Sequence, residues 1–176
     1  MIPTSLIDLI CDYSIEYKLR SEVPLCKIDW YCLSDNQNDR AIELLLKNPS
    51  KINWGWLSKN PNDRAVDFLI KNYSKIDWLW LSFNTNNRAV DLLLKNPTKI
   101  HWGFLSGNTN VRIIDLLLKN QSKINWKWFS WNGNDRVVDL LLENQTNINW
   151  DWLYTNPNIF VIDDKINKIK NILLNI

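Results

Sequence analysis

The sequence is short of the residues on which most protein chemistry depends. It holds one histidine, one methionine, four glycines and three cysteines in 176 residues. His101 has no cysteine or histidine near it in the chain, so neither a metal centre nor a catalytic triad assembles around it. With so few glycines there is no phosphate-cradling loop and no nucleophile elbow, and HExxH is absent too. Cys11, Cys26 and Cys32 are an odd set crowded near the start, and Cys26-x5-Cys32 lacks the usual zinc spacing. A disulfide framework is therefore not expected, and a reducing compartment is.

Long apolar runs are missing as well: none approaches the roughly 18 residues that span a bilayer. The opening Met1-Ile-Pro-Thr-Ser-Leu-Ile-Asp8 has no basic stretch and places an acid inside its apolar run, unlike a secretory signal. The sequons at Asn72, Asn120 and Asn144 are then expected to be unused, and a cytoplasmic location follows. A formal net charge of +2 is too small to argue for nucleic acid or an anionic membrane. These absences point away from an enzyme, a cofactor and a metal.

What the sequence does have is tryptophan, 11 of them, and 45% hydrophobic residues, which excludes disorder. Trp30, Trp54, Trp78, Trp102, Trp126 and Trp150 stand 24 residues apart with no insertion. Isoleucine precedes each by two (Ile28 to Ile148). Cys32, Trp56, Trp80, Phe104, Trp128 and Trp152 follow by two, and asparagine follows by six (Asn36 to Asn156). Six copies in register make this a tandem repeat.

The second half of each unit has helical periodicity. In residues 52–75, Val66, Leu69 and Ile70 fall at i, i+3 and i+4, with Ala65 and Phe68 broadening the face. Asn60 is placed to cap this helix, with Pro61 at its first position and Asp63 in its first turn; Asn72 is placed as a left-handed C-cap. That predicts about 11 residues, roughly 16 Å of helix.

The first half is less direct. Ile52, Trp54 and Trp56 alternate as a strand would. Comparison of the units favours a short helix. Position 57 is Leu or Phe throughout while 55 and 59 vary, and on a helix Trp54, Trp56 and Leu57 share one sector with 55 and 59 opposite. Asn53 and its counterparts, His101 among them, would cap it.

The expected fold is therefore all-α: an α-solenoid of about six 24-residue helix-turn-helix repeats with capping helices at both ends. Residues 1–26 form the N-terminal cap, 27–158 the repeats and 159–176 the C-terminal cap, in one continuous domain. Arg40, Arg64, Arg88, Arg112 and Arg136 each have an acid three residues on, an arrangement too often duplicated to be catalytic; pairing along and between units explains it. Lysines 47, 71, 95 and 119, with 27, 51, 75, 99 and 123, form two columns. Helix-end electrostatics accounts for these, and a nucleic-acid backbone is the alternative use.

Where the units differ, apolar residues occur on the side of the short helix expected to face water. Tyr31, Leu79, Phe83 and Trp131 lie there with Lys59 and Lys127, and Gly103 and Gly107 are expected to leave a gap between Phe83 and Trp131. Exposed apolar patches rimmed by charge mark partner surfaces. The expected function is a non-enzymatic protein-interaction scaffold that uses Tyr31, Lys59, Leu79, Phe83, Lys127 and Trp131 to hold a protein partner.

The unit Ile-Asn-Trp-x-Trp-Leu-Ser-x-Asn-Pro-Asn-Asp-Arg-Ala-Val-Asp-x-Leu-x-Lys-Asn resembles the short Trp/Asn-rich tandem repeats of proteins from giant nucleocytoplasmic DNA viruses, over about residues 27–160. The resemblance implies a viral repeat protein of host cytoplasm and carries over no catalytic residue. The opening Ile2-Pro-Thr-Ser-Leu-Ile-Asp-Leu-Ile-Cys-Asp-Tyr13 resembles the first helix of an F-box, which implies a ubiquitin-ligase adaptor with the repeats as substrate reader.

Overall fold

The computed structural model describes residues 24–160, and within them the chain is an all-α array of stacked helix pairs, consistent with an α-solenoid. The proposed capping helices lie outside the described residues, apart from residues 24–26 and 159–160, and so does the F-box-like segment. Each unit has three pieces. A short helix comes first: Trp30–Asp35, Trp54–Lys59, Trp78–Leu81, Trp102–Leu105, Trp126–Trp131 and Trp150–Leu153. A longer one follows it: Asp39–Leu46, Asp63–Lys71, Asn87–Lys95, Val111–Lys119 and Asp135–Glu143. A 3-10 turn then leads to the next unit, as at Pro49–Lys51, Tyr73–Lys75, Pro97–Lys99 and Gln121–Lys123. The strand-like alternation of Ile52, Trp54 and Trp56 is thus one residue pattern shared by the turn's exit and a short helix.

The short helix begins where expected. Asn53 Oδ1 accepts from the Trp56 N–H at 3.0 Å, and Asp29, Asp77, Asn125 and Asn149 cap their helices likewise. His101 does so through Nδ1, 3.3 Å from the Phe104 N–H. At the long helix the assignment moves. The cap is Asn62, whose Oδ1 accepts from the Arg64 and Ala65 N–H groups, so the helix has nine residues. Asn72 is not left-handed either: its φ is −115°, and no described residue has positive φ. It ends the helix by side chain, donating through Nδ2 to the Phe68 carbonyl at 2.9 Å, and Asn48, Asn96, Asn120 and Asn144 repeat the bond.

Asn60, freed from capping, is fully buried and ties units together. Its Nδ2 donates to the Ser34 and Asn36 carbonyls of the preceding unit, while its Oδ1 accepts from the Asn62 N–H. Asn84, Asn108, Asn132 and Asn156 do the same. A buried serine runs beside them: Ser82 Oγ donates to the Trp78 carbonyl and accepts from the His101 N–H of the next unit. Buried amides and hydroxyls of this kind are tolerated only when their bonds are met, and no buried side-chain polar atom lacks a partner among the described residues.

The core runs the length of the array between the two kinds of helix. Leu57, Leu81, Leu105, Phe129 and Leu153 are its contribution from the short helices, with Ala65, Val66 and Leu69 and their equivalents from the long ones. Ile70, expected in this face, is 40% exposed, because at about 100° per residue it falls beyond the edge of the sector that Ala65, Leu69 and Val66 bury. The arginine ladder runs chiefly between units. Arg64 binds Glu43 at 2.7 Å, Arg112 binds Asp91 at 2.7 Å, Arg136 binds Asp115 at 2.8 Å, and Arg88 pairs with Asp67. Arg40 with Glu43 is the pair at i, i+3, at 3.1 Å.

Candidate functional site

The short helix has only one or two turns, so its cap fixes which residue enters the core and which must face out. Leu57 and Ser58 go inward and are fully buried. Trp54 covers the core edge and stacks on Phe68 of the long helix at 5.7 Å. Trp56, placed with them by the helical wheel, is instead half-buried and does not pack on the core. Its counterparts follow it, and the result is a column of rings along the outside of the array. Centroid spacings are 5.3 Å for Trp56–Trp80, 5.3 Å for Trp80–Phe104, 5.5 Å for Phe104–Trp128 and 5.3 Å for Trp128–Trp152. Stacked and edge-to-face contacts alternate, the two arrangements the ring quadrupole favours.

The variable residues singled out from sequence cluster around this column. Tyr31, 51% exposed, meets Trp56 edge-on at 5.1 Å. Lys59 holds its ammonium 4.7 Å from the Trp56 ring centre and 3.7 Å from Asp35. Phe83 stacks on Trp131 at 5.9 Å, although two units separate them, and touches Phe104 and Trp128 as well. Lys127 is exposed, with Nζ 5.0 Å from the Trp152 ring centre. Leu79, at the position equivalent to Gly55, is half-buried.

The expected gap between Phe83 and Trp131 is closed. A Cβ on Gly107 would lie 2.8 Å from Phe83 Cε2 and 3.3 Å from Trp128, so the missing side chain makes room for Phe83 itself. Phe83 is thus as much a structural clasp as a surface residue. The recurrent ring column was missed as surface, yet a signal existed: the same position accepts cysteine at 32 and tryptophan at 56. A close-packed core does not absorb such a change of volume.

The electrostatics of the face are mild. The Asp29 carboxyl is held below the usual carboxylate range, chiefly by the Cys32 backbone N–H that it caps. The Cys32 thiol donates to the same carboxylate at 3.3 Å and is pushed up as a consequence, the reverse of what an activated nucleophile needs. Among the described residues no three His, Cys, Asp or Glu side chains come together to hold a metal, and no helix is long and apolar enough to cross a membrane. Both lysine columns are exposed, at the ends of the long helices and of the 3-10 turns.

No family model matches the chain, and no curated protein or solved structure is found to be similar to it.

Proposed function

We propose that the protein is a non-enzymatic interaction scaffold that holds a protein partner on the outer face of its short helices. The observation behind this is the aromatic column: five rings in contact, half-exposed, with Tyr31, Trp131, Lys59 and Lys127 at its margins. Aromatic side chains dominate interface energetics because they remove large apolar area from water at small entropic cost. A repeat array also offers such a surface as a strip, suited to an extended partner. The resemblance to viral repeats favours a host cytoplasm as its setting and a host protein as its partner.

Selection of peptides from a displayed library tests the proposal. Peptides enriched on the protein should bind at least tenfold more weakly to a Tyr31→Ala, Trp131→Ala, Lys127→Glu variant, with its helical circular dichroism retained. Undiminished binding would remove the face from consideration. Phe83 is left intact in this variant because it also packs on Phe104 and Trp128 and fills the space over Gly107.

A further inference from the structure

We infer that the strand of partner lying on the aromatic column is a proline-rich segment in the polyproline II conformation, with an acidic residue at the Trp152 end. This rests on the assignment of the short-helix face as the binding surface and adds the chemistry of its occupant.

Three observations carry it. First, the indole N–H groups of the column are idle. Those of Trp56, Trp80, Trp128 and Trp152 donate to no protein acceptor, and none is buried without a partner, so each is open to solvent. A polyproline II chain is the complementary object: it has no internal hydrogen bonds, and its carbonyls point outward unpaired. Aromatic-lined surfaces recognise such segments through ring packing on the pyrrolidines.

Second, the spacing is compatible. Adjacent rings are 5.3–5.5 Å apart, so Trp80 and Trp128, two steps along the column, are at most about 11 Å apart. One turn of polyproline II, three residues at about 3.1 Å each, advances about 9 Å. That upper bound accommodates one turn between alternate rings.

Third, the charges are unequal. Lys59 is neutralised by Asp35. Lys127 has a ring but no ion pair: the exposed Asp151 adjoins Trp152 in the chain and does not close on the Lys127 ammonium. An acid on the segment would meet it. Other occupants fit less well. An amphipathic helix would need pockets for its anchors, and the space over Gly107 is already filled by Phe83. Strand addition needs a sheet edge, and the described residues contain no strand.

The probe is a synthetic oligoproline ending in glutamate, followed by heteronuclear NMR of the indole N–H signals and by tryptophan fluorescence. The Trp80, Trp128 and Trp152 indole signals should shift on titration. Trp80→Phe with Trp128→Phe keeps both rings, as Phe104 does naturally, and removes two donors; binding should fall roughly tenfold or more. Lys127→Gln should erase the preference for a terminal glutamate over glutamine.

Indole signals unmoved at roughly millimolar peptide, or affinity unchanged by the double Trp→Phe substitution, overturn the inference. If library-selected peptides shift these signals and oligoproline does not, the face stands and its polyproline occupant falls. If neither shifts them, both readings fall. A single-stranded oligonucleotide that shifts them in place of oligoproline also overturns it.

Discussion

Two asparagines two residues apart have different jobs, and their substitution should separate those jobs. Asn84 satisfies three backbone groups: it donates to the Ser58 and Asn60 carbonyls at 2.8 Å and accepts from the Asn86 N–H at 2.9 Å. Asn84→Ala leaves two buried carbonyls and the half-buried Asn86 N–H without partners. At about 1–3 kcal/mol for each orphaned group, the expected loss is about 3 kcal/mol or more in urea denaturation. Asn86 caps the next helix and donates to the Pro61 carbonyl and the Asp63 carboxylate at the edge of solvent, where water replaces lost bonds, so Asn86→Ala should cost less, about 1–2 kcal/mol. Equal losses would contradict the buried-ladder account. The two columns are indistinguishable in sequence because both are invariant Asn beside a helix start. A local capping rule picked the first, Asn60, whereas its true partners lie 24 and 26 residues away. Gly107 gives a third case at this scale. Gly107→Ala should dislodge Phe83 and cost about 1–3 kcal/mol, with loss of near-ultraviolet dichroism from the Phe83–Trp131 stack.

At the level of elements, nine-residue helices are too short to persist alone, so what joins them decides their stability. The long helices were legible because their buried face repeats at 3.6 residues. The short ones were legible only by comparing units, and one turn is too little for a wheel to say that Leu57 enters while Trp56 does not. The 3-10 turns left no periodic signal. Between long helices the arginine ladder adds a pH-dependent contribution. Glu43 is held below its ordinary range by hydrogen bonds from Arg64 and then Arg40, and Asp67 by the hydrogen bond from Arg88. Because the folded carboxyls titrate lower than the unfolded ones, their stabilisation is fully present above the ordinary carboxylate range, about pH 4. It is lost as pH falls through the depressed values. The melting temperature should therefore drop on acidification below about pH 4, and Glu43→Gln with Asp67→Asn should flatten that drop. An unchanged acid limb in this variant would show that the ladder is not its source.

For the whole molecule the question is how far a defect travels. Asparagine, serine and arginine bonds all reach one unit only, which makes the array close to a one-dimensional chain of nearest-neighbour couplings. Asn60→Ala and Asn108→Ala remove the same bonds, to Ser34 and Asn36 in one case and to Ser82 and Asn84 in the other. Their consequences should nevertheless differ. The first uncouples only the first of the described units and leaves a single cooperative transition. The second cuts the array near its middle, so the halves begin to unfold separately, and the urea slope falls because less surface is exposed in each step. The Phe83–Trp131 stack opposes this split, since it bridges two units across the cut. Asn108→Ala with Phe83→Ala should therefore show a shallower urea transition than Asn108→Ala alone. Hydrogen exchange should then report different opening free energies for the long helices at 63–71 and 135–143. Identical slopes for Asn60→Ala, Asn108→Ala and the double variant would mean that the units are coupled over more than their neighbours, and that the solenoid folds as a single body.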